Sequence, residues 1–127
     1  MRKITLTHKE LRTQAKFTDP ICKYDLCFEQ EILGYQARGD LHPPVLMPNG
    51  DCYLIFNGNH RVLAAINNKL TIECLVLEDI NDVMHVQREE MDNRLLLLTK
   101  LTFEGIVTEL EKAAKKWAGQ NPDNWLE

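Results

Sequence analysis

The residues whose types and spacing suit them to chemistry stand in one short stretch, Asn57–Gly58–Asn59–His60–Arg61. A polar turn of this composition becomes a phosphate site when it opens a helix. The first backbone N–H groups of a helix lack intrahelical partners, and the helix dipole favours an anion there. Gly58 lets the backbone approach a ligand closely, and Arg61 offers a planar, two-pronged donor to phosphate oxygens. His60, beside Arg61, is expected to stay neutral, which suits a hydrogen-bond donor to phosphate or a general base. A plainer reading stands beside this one. Asn57 or Asn59 caps the helix, and His60 only hydrogen-bonds backbone.

Either reading requires a strand before the turn and a helix after it, and the flanking sequence has both. Cys52–Tyr53–Leu54–Ile55–Phe56 is apolar at every position, the pattern of a strand buried on both faces. After the turn, Val62, Leu63, Ala65 and Ile66 supply a packing face for a helix running to about Asn68. Upstream, Asn49–Gly50 is the strongest hairpin signal in the chain, preceded by the strand Val45–Leu46–Met47. Ile4–Thr5–Leu6 and the run 71–77 read as further strands. Thr7 or His8 opens a short helical or irregular segment to about Phe17, and Asp19–Pro20 marks a break. Asp25 is a suitable N-cap for a helix over 26–38, which Gly39 would end. On that helix, Glu29 and Glu31 are candidates for a base or a magnesium ligand, against the reading of a solvated helix surface.

The C-terminal part reads as helical. Met84, Met91, Leu95 and Leu98 recur at helical spacing, and Ile106, Leu110, Ala113 and Trp117 repeat it. These stripes either pack on the sheet or, given the apolar run Leu95–Leu98, form a dimer interface.

Composition bounds the rest. A net charge of −4 argues against a chain that coats nucleic acid, although Arg2, Lys3, Lys9, Arg12, Lys16 and Lys23 can form a local basic patch. No apolar run is long enough for a membrane span, and residues 1–20 lack a signal-peptide core, so a cytoplasmic protein is expected. Cys22, Cys27, Cys52 and Cys74 contain no Cys-x-x-Cys and read as free thiols, with Cys52 and Cys74 filling strands. His8 and His85 have no chemical context and read as surface residues.

Gly58–Asn59–His60–Arg61, followed by a small-residue helix, resembles the signature box of the ParB/sulfiredoxin superfamily. Sulfiredoxins carry Gly-Cys-His-Arg there, chromosome-partitioning ParB proteins Gly-Glu-Arg-Arg, and free-serine kinases Asp-Gly-His-His-Arg. A second box agrees. ParB-like domains place Gly-x-x-Gln-Pro-(Ile/Pro)-Val upstream, where this chain has Gly39–Asp40–Leu41–His42–Pro43–Pro44–Val45. The resemblance covers residues 1–80 and implies an α/β (α+β) fold, a small mixed sheet flanked by helices. Residues 81–127 would be a C-terminal helical extension, packed on that domain or forming a dimer interface.

The resemblance further implies that the turn Asn57–Arg61 cradles the phosphates of a nucleoside triphosphate, accompanied by Mg²⁺. His42 stands where ParB proteins carry the Gln of the upstream box, and His60 and Glu31 are the candidates for catalytic work. Asn59 occupies the position of the sulfiredoxin cysteine, so sulfinic-acid reduction is not expected. The third ParB box, Glu-Asn-x-x-Arg, meets Glu89–Glu90–Met91–Asp92–Asn93–Arg94 here, whose order departs from the arrangement behind CTP-driven clamp closure. No helix-turn-helix region with a basic recognition face is expected in residues 81–118.

The expected function is nucleotide binding through phosphates, with weak NTP hydrolysis or phosphoryl transfer as the reaction class. Two alternatives stay open here. One is a nuclease, which needs a metal and a basic track. The other is a non-catalytic, plasmid- or phage-type DNA-associated regulatory module that reaches DNA through a partner or acts as a homodimer.

Overall fold

The alternation of side chains along the strands sets the layers of the molecule. The computed structural model describes residues 1–18, 30, 32–34, 37–39, 42–90 and 102–116. Among them one mixed sheet is built from β1 (Arg2–Leu6), β2 (Ala15–Lys16), β3 (Val45–Asn49), β4 (Cys52–Asn57) and β5 (Ile72–Val76), in the order β1–β5–β3–β4–β2. β1/β5 and β3/β4 pair antiparallel, whereas β3/β5 and β2/β4 pair parallel. The helices with defined bounds are α1 (His8–Gln14), α2 (Asn59–Asn67), α3 (Ile80–Glu90) and α4 (Phe103–Lys116). The fold is therefore α+β, a mixed sheet flanked by helices, as the sequence leads one to expect.

The central strands β3 and β4 bury both faces. In β3 and β4, Leu46 and Ile55 point to one side with β5 residues Ile72, Cys74 and Val76, where Leu11 of α1 and Val62, Ala65 and Ile66 of α2 cover them. Val45, Met47, Leu54 and Phe56 point to the other side and meet Val83 and Val86 of α3 and Ile106 and Leu110 of α4. Two apolar layers fed by one strand explain why Cys52–Phe56 lacks polar alternation. No helix among the described residues is long and apolar enough to cross a membrane.

Local chemistry fixes the connections and corrects the sequence reading at the end of α1, at β2 and in the hairpin. Thr7 is the N-cap of α1 in a complete capping box with Glu10, so the helix starts at His8 and ends at Gln14. The two residues after it form β2, which pairs with Tyr53 and Leu54; a two-residue strand is too short to show a period. In the hairpin, Asn49 pairs with Cys52, so the loop is Gly50–Asp51 rather than Asn49–Gly50. Gly50 takes the positive φ of 63°, and Asp51 does not. That is the pattern of a turn in which only the first loop position needs glycine.

On α3 the predicted stripe has the wrong phase. Met84 is 47% exposed, and Val83 and Val86 are the residues that reach the core. The sequence offered too few strong apolar positions in 80–90 to fix the phase, and Met91, Leu95 and Leu98 lie outside the described residues. In α4, Ile106 and Leu110 are buried in the expected phase, Ala113 is half-buried, and Trp117 is not described. Of the helix expected over 26–38, residues 30, 32–34 and 37 are described and helical, and Gly39 follows with φ 75°. Glu29, Glu31, Cys22 and Cys27 lie outside the described residues.

Candidate functional site

Sheet topology gathers the two sequence boxes at one end of the molecule. β4 runs antiparallel to β3, so Asn57 at the end of β4 lies opposite Val45 at the start of β3, beside an irregularity between Val45 and Leu46. β5 runs parallel to β3, and its first residues therefore rise next to His42–Pro44. Leu75 N donates to Pro44 O at 2.9 Å and extends that pairing beyond the strand.

The turn between β4 and α2 is capped by glycine and not by either asparagine. Gly58 is the N-cap, in the left-handed region with φ 101° and ψ 31°, and no side chain caps the helix. The first intrahelical bond is Val62 N to Gly58 O at 2.9 Å, so the amides of Asn59, His60 and Arg61 precede it. A Cβ at position 58 would lie 3.0 Å from Arg61 Nε, 3.0 Å from Pro44 Cα and 3.1 Å from Arg61 Nη2. Glycine is thus required twice, by the backbone conformation and by the close approach of Arg61.

Arg61 links the boxes. Its Nη1 donates to the carbonyl oxygen of His42 and, at 3.3 Å, to that of Pro43. The guanidinium crosses the Gly58 backbone to reach them. It forms one wall of a cleft of about 210 Å³, whose other walls are His42–Pro44 and Thr71–Glu73. A cation in the first turn of a helix opposes the helix dipole, and α2 has no acidic residue there to offset it. The two carbonyls offset part of that cost, and an anion at the same place would offset more.

The other predicted residues take different positions. Asn59 is 3% exposed, and its side chain faces inward. Its Oδ1 accepts from Thr18 N at 2.9 Å and its Nδ2 donates to Thr18 Oγ1 at 3.3 Å. Thr18 Oγ1 in turn donates to Ile55 O at 2.5 Å. Burial without these partners would be costly, and they tie the segment after β2 to α2. Only the backbone amide of Asn59 belongs to the turn. His60 and Asn57 are half-buried, and His42 is exposed on the cleft wall.

Thr71, Ile72 and Glu73 line the cleft and had not been singled out as site residues. Their place there follows from the parallel pairing of β3 and β5, which no local motif records. The Glu73 carboxylate lies 3.8 Å from Lys3 Nζ, with side chains 52% and 72% exposed, a pairing of little energetic weight.

Among the described residues no three His, Cys, Asp or Glu side chains are grouped to hold a metal ion. Burial, with the charge of Glu73 adding to it, pushes the Cys74 thiol up to about 12, so it is a core filler without thiolate reactivity. Cys52 is a half-buried free thiol whose Sγ donates to Asn49 O. Comparison with family models, with curated proteins and with solved structures found no match.

Proposed function

We propose that this chain is a nucleotide-binding domain of ParB/sulfiredoxin-like type that holds its ligand by the phosphates at the start of α2. The observation that carries this reading is the Arg61 side chain. It bridges the turn 57–61 to the carbonyls of His42 and Pro43, so both sequence boxes act on one cleft.

In this reading the amides of Asn59, His60 and Arg61 present the positive end of α2 to the phosphates. The guanidinium adds a fixed positive charge at the same end, and Gly58 lets that side chain lie close against the turn. The Asn59 side chain takes no direct part, because it is committed to Thr18. It acts by holding the first turn in place.

A triphosphate brings Mg²⁺ with it, and the ion supplies charge neutralisation on the phosphate oxygens. The described residues offer no cage for the ion, and magnesium is commonly held by phosphates, water and one or two carboxylates. The reaction class in this reading is weak hydrolysis or phosphoryl transfer. His60, in the first turn, is the candidate to donate to or accept from a phosphate-bound group.

Calorimetric titration with nucleoside triphosphates and magnesium tests the reading. Arg61→Ala should weaken binding by roughly 1.5–3 kcal/mol, the scale of a hydrogen bond to a charged group. Equal affinity for the wild type and the variant would remove Arg61 as the phosphate clamp.

A further inference from the structure

Among the described residues only two polar side chains are buried, Thr18 at 5% exposure and Asn59 at 3%, and they are bonded to each other. Burying a polar group costs free energy unless it is fully partnered, and an apolar pair of the same size would fill the space without that risk. The pair is explained by a need for position rather than by packing. Its orientation has one solution. Asn59 Oδ1 faces the Thr18 N–H at 2.9 Å, which can only donate, and Asn59 Nδ2 faces Thr18 Oγ1 at 3.3 Å, whose own proton goes to Ile55 O.

These bonds close a staple across the turn that opens α2. Ile55 lies on β4 before the turn, and Asn59 is the first residue of α2 after it. Thr18 Oγ1 bonds to both, so one hydroxyl holds the chain on the two sides of Gly58. Thr18 reaches this place because β2 runs parallel to β4, with Ala15 opposite Tyr53 and Lys16 opposite Leu54. Residues two apart on a helix face different ways. Asn59 thus fastens the first turn on its buried side, and Arg61 fastens it on the cleft side through the carbonyls of His42 and Pro43. The amides of Asn59, His60 and Arg61 belong to the turn so fastened.

Resting on the phosphate-binding reading above, we infer that Thr18 is a positioning residue for that site. Itself buried, it acts through Asn59 and Ile55 to hold the turn 57–59 and the first amides of α2 in the arrangement that an anion meets. The anion and the staple then favour the same turn conformation, so each strengthens the other by linkage. The hydroxyl of Thr18 carries this role, and its methyl group does not.

The test is calorimetric titration of the full chain with inorganic tripolyphosphate, at a temperature where each variant is fully folded. Thr18→Val keeps the shape and removes the hydroxyl, and should weaken binding about tenfold, the scale of a buried donor left without a partner. Thr18→Ser keeps the hydroxyl and should restore the wild-type affinity. Thr7→Ala, which destabilises the chain at α1, should leave affinity unchanged and serves as the control. A Thr18→Val protein that is less stable in urea yet binds like the wild type overturns the inference. So does a loss of affinity that Thr18→Ser or Thr7→Ala shares. Amide hydrogen exchange in the wild type gives a readout that does not depend on how the variants fold. Saturating tripolyphosphate should slow the Thr18 amide, bonded to Asn59 Oδ1, more than the Leu11 amide, bonded to Thr7 O in α1. Equal slowing at both, or none at Thr18, overturns the inference and leaves the phosphate site standing. Absence of tripolyphosphate binding by the wild type would overturn the phosphate reading itself and this inference with it.

Discussion

Among the described residues, α1, α3 and α4 begin in one way and α2 begins in another. In α1, Thr7 Oγ1 accepts from Glu10 N at 3.2 Å, and Glu10 Oε1 accepts from Thr7 N at 3.1 Å. At the start of α3, Asp79 Oδ1 accepts from Asp82 N at 3.0 Å. At the start of α4, Thr102 Oγ1 accepts from Gly105 N at 3.0 Å. Each of these helices also carries an acidic residue in its first turn: Glu10, Asp82 and Glu104. They satisfy their first amides and their dipoles with their own side chains. α2 has a glycine cap, no side-chain cap bond, no acid in its first turn, and an arginine folded over that turn. The difference teaches that the charge balance of α2 is left to a group from outside the helix. The carbonyls of His42 and Pro43 supply part of it, and a bound anion at the same place would add to it.

The largest effect expected from disturbing this contrast belongs to Gly58. Gly58→Ala forces a left-handed backbone on a residue with a Cβ and pushes that atom against Arg61 and Pro44. Loss of roughly 1–2 kcal/mol of stability is expected from the backbone alone, with weaker phosphate binding as Arg61 is displaced. Urea unfolding of the variant reads the first, and titration with a triphosphate reads the second. A variant as stable as the wild type would mean that the turn relaxes easily and does not fix Arg61.

Thr7→Ala sharpens the contrast from the other side. It removes the cap of α1 and should cost about 1 kcal/mol in urea unfolding, with nucleotide affinity unaltered. A change in affinity would show that α1 and α2 are not independent helix starts.

The smallest effect concerns pH and the start of α3. The chain amine of Met1 lies 3.0 Å from Asp82 Oδ2 and 3.1 Å from Glu78 Oε1. Hydrogen bonds to Asp82 and Glu78 raise the amine pKa above its ordinary 8.0. Burial alone would push the Asp82 carboxyl up, but bonds from Glu78 N–H and the chain amine hold it below its ordinary 3.8. The amine contribution is therefore complete below pH 8 and fades as pH climbs through the raised value. The carboxylate contribution is complete above about pH 4 and fades as pH falls through the lowered one. Melting temperature measured against pH should fall in both windows for the wild type, and Asp82→Asn should flatten both slopes. Unchanged slopes in the variant would show that these pairs add nothing to stability.

Much of this was legible in the sequence, and the remainder was hidden for identifiable reasons. The strand, turn and helix around Asn57–Arg61 could be read because an apolar run, a glycine and a small-residue helix are each local signals. The α1 cap at Thr7 was readable for the same reason. The burial of Asn59 was not, because its partner Thr18 is remote in sequence and lies just after β2, a strand too short to leave a pattern. The place of Thr71–Glu73 on the cleft was passed over because it depends on β5 lying beside β3, a fact of strand order. Met84 was assigned inward where Val83 and Val86 belong, because one apolar residue off phase looks the same as one in phase over so short a helix. Glu31 and the run Leu95–Leu98 lie outside the described residues.

The account turns on one helix start accepting an anion that the others do not need. Amide-resolved NMR titration with tripolyphosphate, and then with the preferred nucleoside triphosphate, examines the starts of α1, α2, α3 and α4 in one experiment. Shifts concentrated at Gly58–Val62 and His42, saturating together, are expected, with the amides of Glu10, Asp82 and Gly105 unmoved. Shifts of equal size at every helix start, or none at Gly58–Val62, would contradict it.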